Sequence, residues 1–162
     1  MVLPDDSIPF DQAFQGADAV ARGTIRLFAE LGFASIREFV LGSGRRADVA
    51  ALDAGGRLVI VEIKVSLADF RADRKWPEYL GYCDALYFAI PPDLPRAPFE
   101  ALPDEIGLIV ADRFGAAVVR EAQWGKLNAS RRRAETLRFA LVAALRLSRR
   151  DDPTWTGESP LD

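Results

Sequence analysis

The sequence predicts an α/β protein of the α+β kind, a central mixed sheet flanked by helices. Three observations predict it. Apolar stripes of helical period stand near the two ends of the chain, over roughly 12–31 and 130–148. Short apolar runs of strand length lie between them. Two of those runs, around 58–64 and 85–90, are separated by a stretch long enough for a crossover to a parallel neighbour. A chain of 162 residues, 49% hydrophobic, is enough for one core. The expected division is an irregular lead-in over 1–11, one domain over 12–148 and a disordered acidic tail over 149–162.

Taken in order, Phe14, Ala17, Val20, Ala21, Thr24, Phe28 and Leu31 form the stripe of the first helix, and Gly32 ends it. Residues 35–41 read as a strand that Glu38 interrupts. Gly42-Ser43-Gly44-Arg45-Arg46-Ala47 matches a dinucleotide fingerprint in spelling, but a strand follows where that fingerprint needs a helix, so it is read as a turn. Next come two strands joined at Asp53-Ala54-Gly55-Gly56, an antiparallel hairpin. Ser66 caps a short helix through about Phe70, and a second spans roughly 74–82 with Pro77 in its first turn. Ala85–Ile90 is an apolar strand stopped by two prolines. A proline-rich loop covers 91–105. Ile106–Ala111 and Ala116–Arg120 pair through a turn at Asp112-Arg113-Phe114-Gly115. In the last helix, Ala134, Leu137, Leu141, Ala144 and Leu145 define the expected apolar face.

Composition excludes several chemistries. Histidine is absent, which removes histidine general bases and the Ser-His-Asp and Cys-His arrangements. One cysteine, Cys83, forms no internal disulfide, fits a reducing cytoplasm and argues against structural zinc. No apolar run of membrane-spanning length is present, and Met-Val-Leu-Pro-Asp-Asp does not read as a signal peptide. Carboxylates, Lys, Arg, Tyr and Ser remain, and they favour a hard cation held by oxygen.

The central hairpin carries the charge that needs explaining. Leu58, Ile60, Glu62 and Lys64 share one face of a strand that is apolar on both faces. The hairpin can set Asp48 near Glu62, and two adjacent carboxylates repel unless a proton or a cation such as Mg2+ or Mn2+ lies between them. A Glu-x-Lys at a strand end also occurs as a solvated ion pair. The chain has 21 basic residues, of which Lys64, Lys75 and Lys126 are its lysines, so Lys64 stands out as a compact ammonium. Such a group can orient a water or offset phosphate charge. Arg45 and Arg46 are either solvated turn residues or phosphate contacts. Trp76 and Tyr79 either pack on the sheet or stack on bases. The segment 126–150 is strongly basic, with Arg131 and Arg132 among its arginines, and tracks a phosphate backbone or forms a solvated face.

Asp48, the thirteen residues after it and Glu62-Ile63-Lys64 resemble the PD-(D/E)XK nuclease-like superfamily, the restriction-endonuclease-like core. Gly44-Arg-Arg-Ala-Asp-Val, Ala68-Asp-Phe-Arg-Ala-Asp-Arg-Lys-Trp-Pro-Glu-Tyr, Cys83-Asp-Ala-Leu-Tyr-Phe-Ala and Gly107-Leu-Ile-Val-Ala-Asp are similar to the bacterial MmcB-like DNA-repair family, over roughly 14–147. The resemblance implies a metal-dependent endodeoxyribonuclease that acts on damaged or branched DNA in the cytoplasm, at the nucleoid. Asp48, Glu62 and the Ile63 carbonyl would hold Mg2+ or Mn2+, and Lys64 would position water or stabilise charge. DNA contacts would come from Arg45, Arg46, Lys75, Trp76, Tyr79, Arg131 and Arg132. Ala47 stands where the superfamily has its proline. Val20-Ala21-Arg22 stands where many relatives carry an acid, with Asp18, Glu30 and Glu38 as substitutes. The competing reading is a nuclease-fold DNA-binding or scaffold protein with little activity, acting with a repair partner or as a homodimer.

Overall fold

The computed structural model describes residues 15–161. The expected lead-in and Phe14 lie outside them. Helix α1 spans Gly16–Glu30, and the chain leaves it through Gly32 at φ +86°, which favours glycine. Strands β1 (Phe33–Val40), β2 (Arg46–Asp53) and β3 (Leu58–Ile63) form an antiparallel meander. The second turn closes as its glycines predict: the Gly56 N–H donates to Asp53 O at 3.0 Å, with Gly56 at φ +82°. The crossover uses α2 (Leu67–Ala72), capped by Ser66 Oγ accepting from the Asp69 N–H, and a 3-10 helix (Trp76–Tyr82) with Pro77 near its start. It leads to β4 (Ala85–Ile90), parallel to β3.

A single turn, α3 (Ala97–Glu100), lies in the proline-rich segment. Strand β5 (Gly107–Ala111) runs parallel to β4, and β6 (Ala116–Arg120) returns antiparallel. Helix α4 spans Ala129–Asp151, with Asn128 Oδ1 capping the Ser130 and Arg131 amides. It runs past the expected boundary near 148, and the following segment turns at Thr154 on Asp152. The sheet is a six-stranded mixed one in chain order, β1 to β6.

Two apolar layers cover the sheet. On one face α1 presses Val20, Ala21 and Phe28 against Val49, Val59, Val61, Tyr87 and Ile109. On the other, Leu58, Ile60, Leu86, Phe88 and Leu108 pack beneath Tyr79, Phe99 and Phe139. Each such side chain, once buried, stabilises the fold by about 1.5–3 kcal/mol. Gly23 lets α1 approach the β5–β6 turn: a Cβ there would lie 2.1 Å from Asp112 O.

Two packing expectations are corrected. Leu31, expected on the α1 stripe, is exposed beyond the helix end, and Ala17 is exposed as well. The inner face of α4 is not the one containing Ala134, Leu137 and Ala144, which are all exposed. Glu135 and Phe139 are buried instead, with Val142 half-buried beside them. The reason is polar: Glu135 Oε1 accepts the Gly42 N–H at 3.0 Å, and Arg132 reaches Asp84, so hydrogen bonds set the rotation of the helix.

Candidate active site

The β2–β3 register pairs Val49 with Val61, which puts Asp48 and Glu62 abreast at the next position. On the far side of β2 the β1 register brings Glu38 abreast of Asp48. Glu38 departs from strand geometry at φ +50°, a strained value for a residue with a Cβ. This is the interruption visible in the sequence. Arg146 of α4 donates to the carbonyls of both Arg37 and Glu38 and holds the distorted segment. Glu38 itself is exposed and lies 3.9 Å from Arg46, while Asp18 pairs with Arg37 at 2.7 Å.

Glu62 is 6% exposed, at the inner end of β3, and its Oε1 has no hydrogen-bond partner. Burial pushes its carboxyl up to about 7, and the charge of Asp48 adds to the effect. Burial also raises Asp48, against the opposing Ile63 N–H, which donates to Asp48 Oδ2 at 2.7 Å. The Tyr79 hydroxyl lies beside this pair but donates to Arg46 O at 2.8 Å. Burial and the neighbouring Glu62 raise its pKa. Two facing carboxyls with an orphaned oxygen are electrostatically incomplete.

Lys64 follows at the strand end. Its N–H donates to Ala89 O at 3.0 Å and its ammonium to Asp73 Oδ2 at 2.8 Å. Asp73 Oδ1 accepts the Lys75 and Trp76 amides, which begin the 3-10 helix. Burial works to raise Asp73, but the Lys64 hydrogen bond and these amides overcome it and hold the carboxyl below its usual range. Sequence reasoning assigns Asp73 no role. Its cap on the turn was legible in principle, as an acid ahead of Lys-Trp-Pro, but its pairing with Lys64 was not.

The expected DNA-contact residues divide. Arg46 and Lys75 are exposed near the pair. Arg45 is held by Glu78 at 2.6 Å, and Trp76 is half-buried, edge-on to Phe88 with centroids 6.0 Å apart. Tyr79 is buried, so the stacking role is corrected to packing and a hydrogen bond. Arg132 is engaged within the protein: it grips Asp84 with two nitrogens, at 2.7 and 2.5 Å, and also donates to Gly56 O. Arg131 lies over the Tyr82 ring, 4.3 Å from its centroid, and donates to Gly81 O.

A cation fits the Asp48–Glu62 pair on the observation of the orphaned Glu62 oxygen. Among the described residues no group of three or more His, Cys, Asp or Glu is placed to hold a metal. Two carboxylates still suit Mg2+, which keeps several waters and is commonly bound through one or two carboxylates plus substrate phosphates. Among the same residues no helix is long and apolar enough to cross a membrane.

Comparison with known proteins gave two matches. The family model described as DNA repair protein MmcB-like matches residues 8–154. A solved structure of a protein of unknown function from Silicibacter pomeroyi is 40% identical, with a TM-score of 0.81 over 88% of this chain and 96% of that one. No curated protein matches.

Proposed function

The chain belongs to the MmcB-like family of DNA repair proteins, and on that premise we propose that it is a metal-dependent endodeoxyribonuclease acting on damaged or branched DNA. One observation carries the reading: a buried Glu62 with an oxygen that nothing in the protein satisfies, abreast of Asp48 at the end of a central strand. Glu135 also has an unpartnered oxygen, but it faces no second carboxyl; beside Asp48, the open Glu62 oxygen calls for a proton or a cation.

Asp48 and Glu62 are the side chains that would hold Mg2+ or Mn2+, with the Ile63 carbonyl beside them. When bound, the ion supplies Lewis-acid polarisation of a phosphoryl oxygen and a more acidic water. The protein's own part is orientation. The Ile63 amide fixes Asp48, and Asp73 fixes Lys64 at the strand end, where its ammonium can offset charge growing on a phosphate. Arg46 and Lys75, exposed beside the site, are suited to grip the backbone of the strand.

The engagement of Lys64 by Asp73 favours one second reading, a DNA-binding scaffold with little chemistry. A panel of labelled single-stranded, nicked, flapped and four-way DNAs separates the two. Wild type is run with Mg2+ or Mn2+ beside Asp48→Ala and Glu62→Ala, with folding checked by circular dichroism. Metal-dependent cutting that both variants lose is the expected result. Binding by all three proteins without cutting establishes the scaffold reading instead.

A further inference from the structure

The outer face of α4 is an apolar surface that the fold leaves uncovered. Between Ala134 and Ser148 the charged residues are Glu135, Arg138 and Arg146. Glu135 is buried, Arg138 leans on it at 3.9 Å, and Arg146 is held on the carbonyls of β1. Outward stand Leu137 at 60% exposure, Leu147 at 50%, and between them the exposed Ala140 and Ala144. The spacing alternates three and four, as in a helix seam. At its start an open groove of about 600 Å3 lies between α4 and the β2–β3 turn, lined by Gly56, Ala129, Arg133, Thr136, Leu137 and Ala140. A single exposed leucine needs no account, but a continuous stripe does.

We propose that this face docks a second copy of the chain, α4 against α4, antiparallel about a two-fold axis level with Val142. The sequence is self-complementary about that point. Leu137 meets the second copy's Leu147, and Ala140 meets its Ala144, small enough for close approach. Arg133 meets its Asp151, and the two-fold repeats each contact. Charge decides the direction: a parallel pair sets Arg133 against Arg133 and Asp151 against Asp151. The flanking positions 134, 136, 141, 143 and 148 carry no charge, so between Arg133 and Arg150 the seam is apolar. The seam from Arg133 to Asp151 is roughly 27 Å long at 1.5 Å per residue. One helix pair of that length is small beside a standard interface of about 800 Å2 per partner, so the dimer is a reversible one.

The proposal does not depend on the nuclease reading. Sedimentation equilibrium over a concentration series tests it with the full chain. Wild type is expected to rise from 17.8 kDa toward twice that mass. Leu137→Asp and, independently, Ala140→Glu are expected to stay at the lower mass with an unchanged circular dichroism spectrum. Both positions are exposed, so the fold tolerates the charge. Arg133→Asp and Asp151→Arg should each weaken association about tenfold or more, and the double variant should restore it. A wild type that stays at the lower mass at every concentration overturns the proposal, as does a dimer indifferent to both seam variants. A double variant that fails to recover overturns the antiparallel register. A monomer in which Leu137→Asp lowers DNA affinity instead assigns the face to nucleic acid, and the dimer fails.

Discussion

Two buried acids mark the two ends of the parallel β3–β4 pair, and the protein treats them oppositely. Asp84, 5% exposed, precedes β4. It accepts the Leu58 and Leu127 amides at 2.8 and 2.9 Å and two nitrogens of Arg132. Glu62, 6% exposed, stands at the other end, near the close of β3, with one oxygen unpartnered and a second carboxyl abreast. Burial is equal, so burial does not separate these two acids. Their hydrogen bonds and the second carboxyl beside Glu62 do. Burial works to raise Asp84, but Arg132 and the amides hold it below its usual range, whereas Glu62 is left high. The incomplete acid also lies at the carboxyl end of the parallel strands, where open α/β sheets place their ligands.

The sharpest way to break the comparison is to unmake the complete end. Asp84→Ala leaves the Leu58 and Leu127 amides without their acceptor and the Arg132 guanidinium with Gly56 O alone, which loosens the join between β3, β4 and the start of α4. The expected loss is about 2–3 kcal/mol, measured by urea unfolding, because two buried amides lose their acceptor and the partly exposed Arg132 loses its counter-charge. On the nuclease reading proposed above, DNA cleavage per folded molecule is expected to survive.

The incomplete end should respond in the opposite sense. On the nuclease reading, Glu62→Gln is expected to lower cleavage at least about 100-fold; independently of that reading, it raises stability at pH 8 without metal. The sign follows from linkage. The folded Glu62 titrates near 7, above its ordinary value of 4.5. Between those limits the folded state keeps a proton that the unfolded state has lost, so stability falls as pH rises through the window. The size is on the order of 3 kcal/mol, and Glu62→Gln flattens that slope in thermal melts.

Metal sharpens the same contrast at smaller amplitude. At pH 8 saturating Mg2+ is expected to raise the melting temperature of the wild type by a few degrees, about 2.7 kcal/mol at one hundred times Kd. It should leave Asp48→Ala unmoved. Equal shifts in both proteins would place the ion elsewhere.

How far this contrast could be read in the sequence follows from the range of the interactions. Strand periodicity and a glycine turn fix the β2–β3 register, so the meeting of Asp48 and Glu62 was legible. Both lie on one hairpin whose pairs are set locally. Asp84 was not legible as a structural acid, because its partner Arg132 is 48 residues away and nothing in either neighbourhood announces the other. The same gap explains the misjudged rotation of α4. Its most apolar face was taken to point inward, but the helix is oriented by Arg132 on Asp84 and by Glu135 on the Gly42 amide, contacts no periodicity records. Tyr79 and Trp76 were legible as aromatic and as near the site, but not as to which end of each ring the 3-10 helix would bury.

Asp73 gives the smallest effect and a direct cross-check on Glu62. Three hydrogen bonds satisfy it, one from the Lys64 ammonium and two from backbone amides, yet it belongs to the incomplete end. Its folded pKa lies below the ordinary value of 3.8, so its contribution is present above that value and is lost as pH falls through the depressed one. Glu62 has the reverse slope, at higher pH. Asp73→Asn keeps acceptors for the Lys75 and Trp76 amides and removes only the charge facing Lys64. It should cost about 1 kcal/mol near neutral pH, measured by urea unfolding, and flatten the acid limb of the stability profile while leaving the limb from Glu62 in place. If both limbs flatten together, Asp73 and Glu62 titrate as one unit, and the division between satisfied and unsatisfied acids within the site is wrong. If only the acid limb responds, Lys64 is held by a structural partner beside an acid pair left open for a cation.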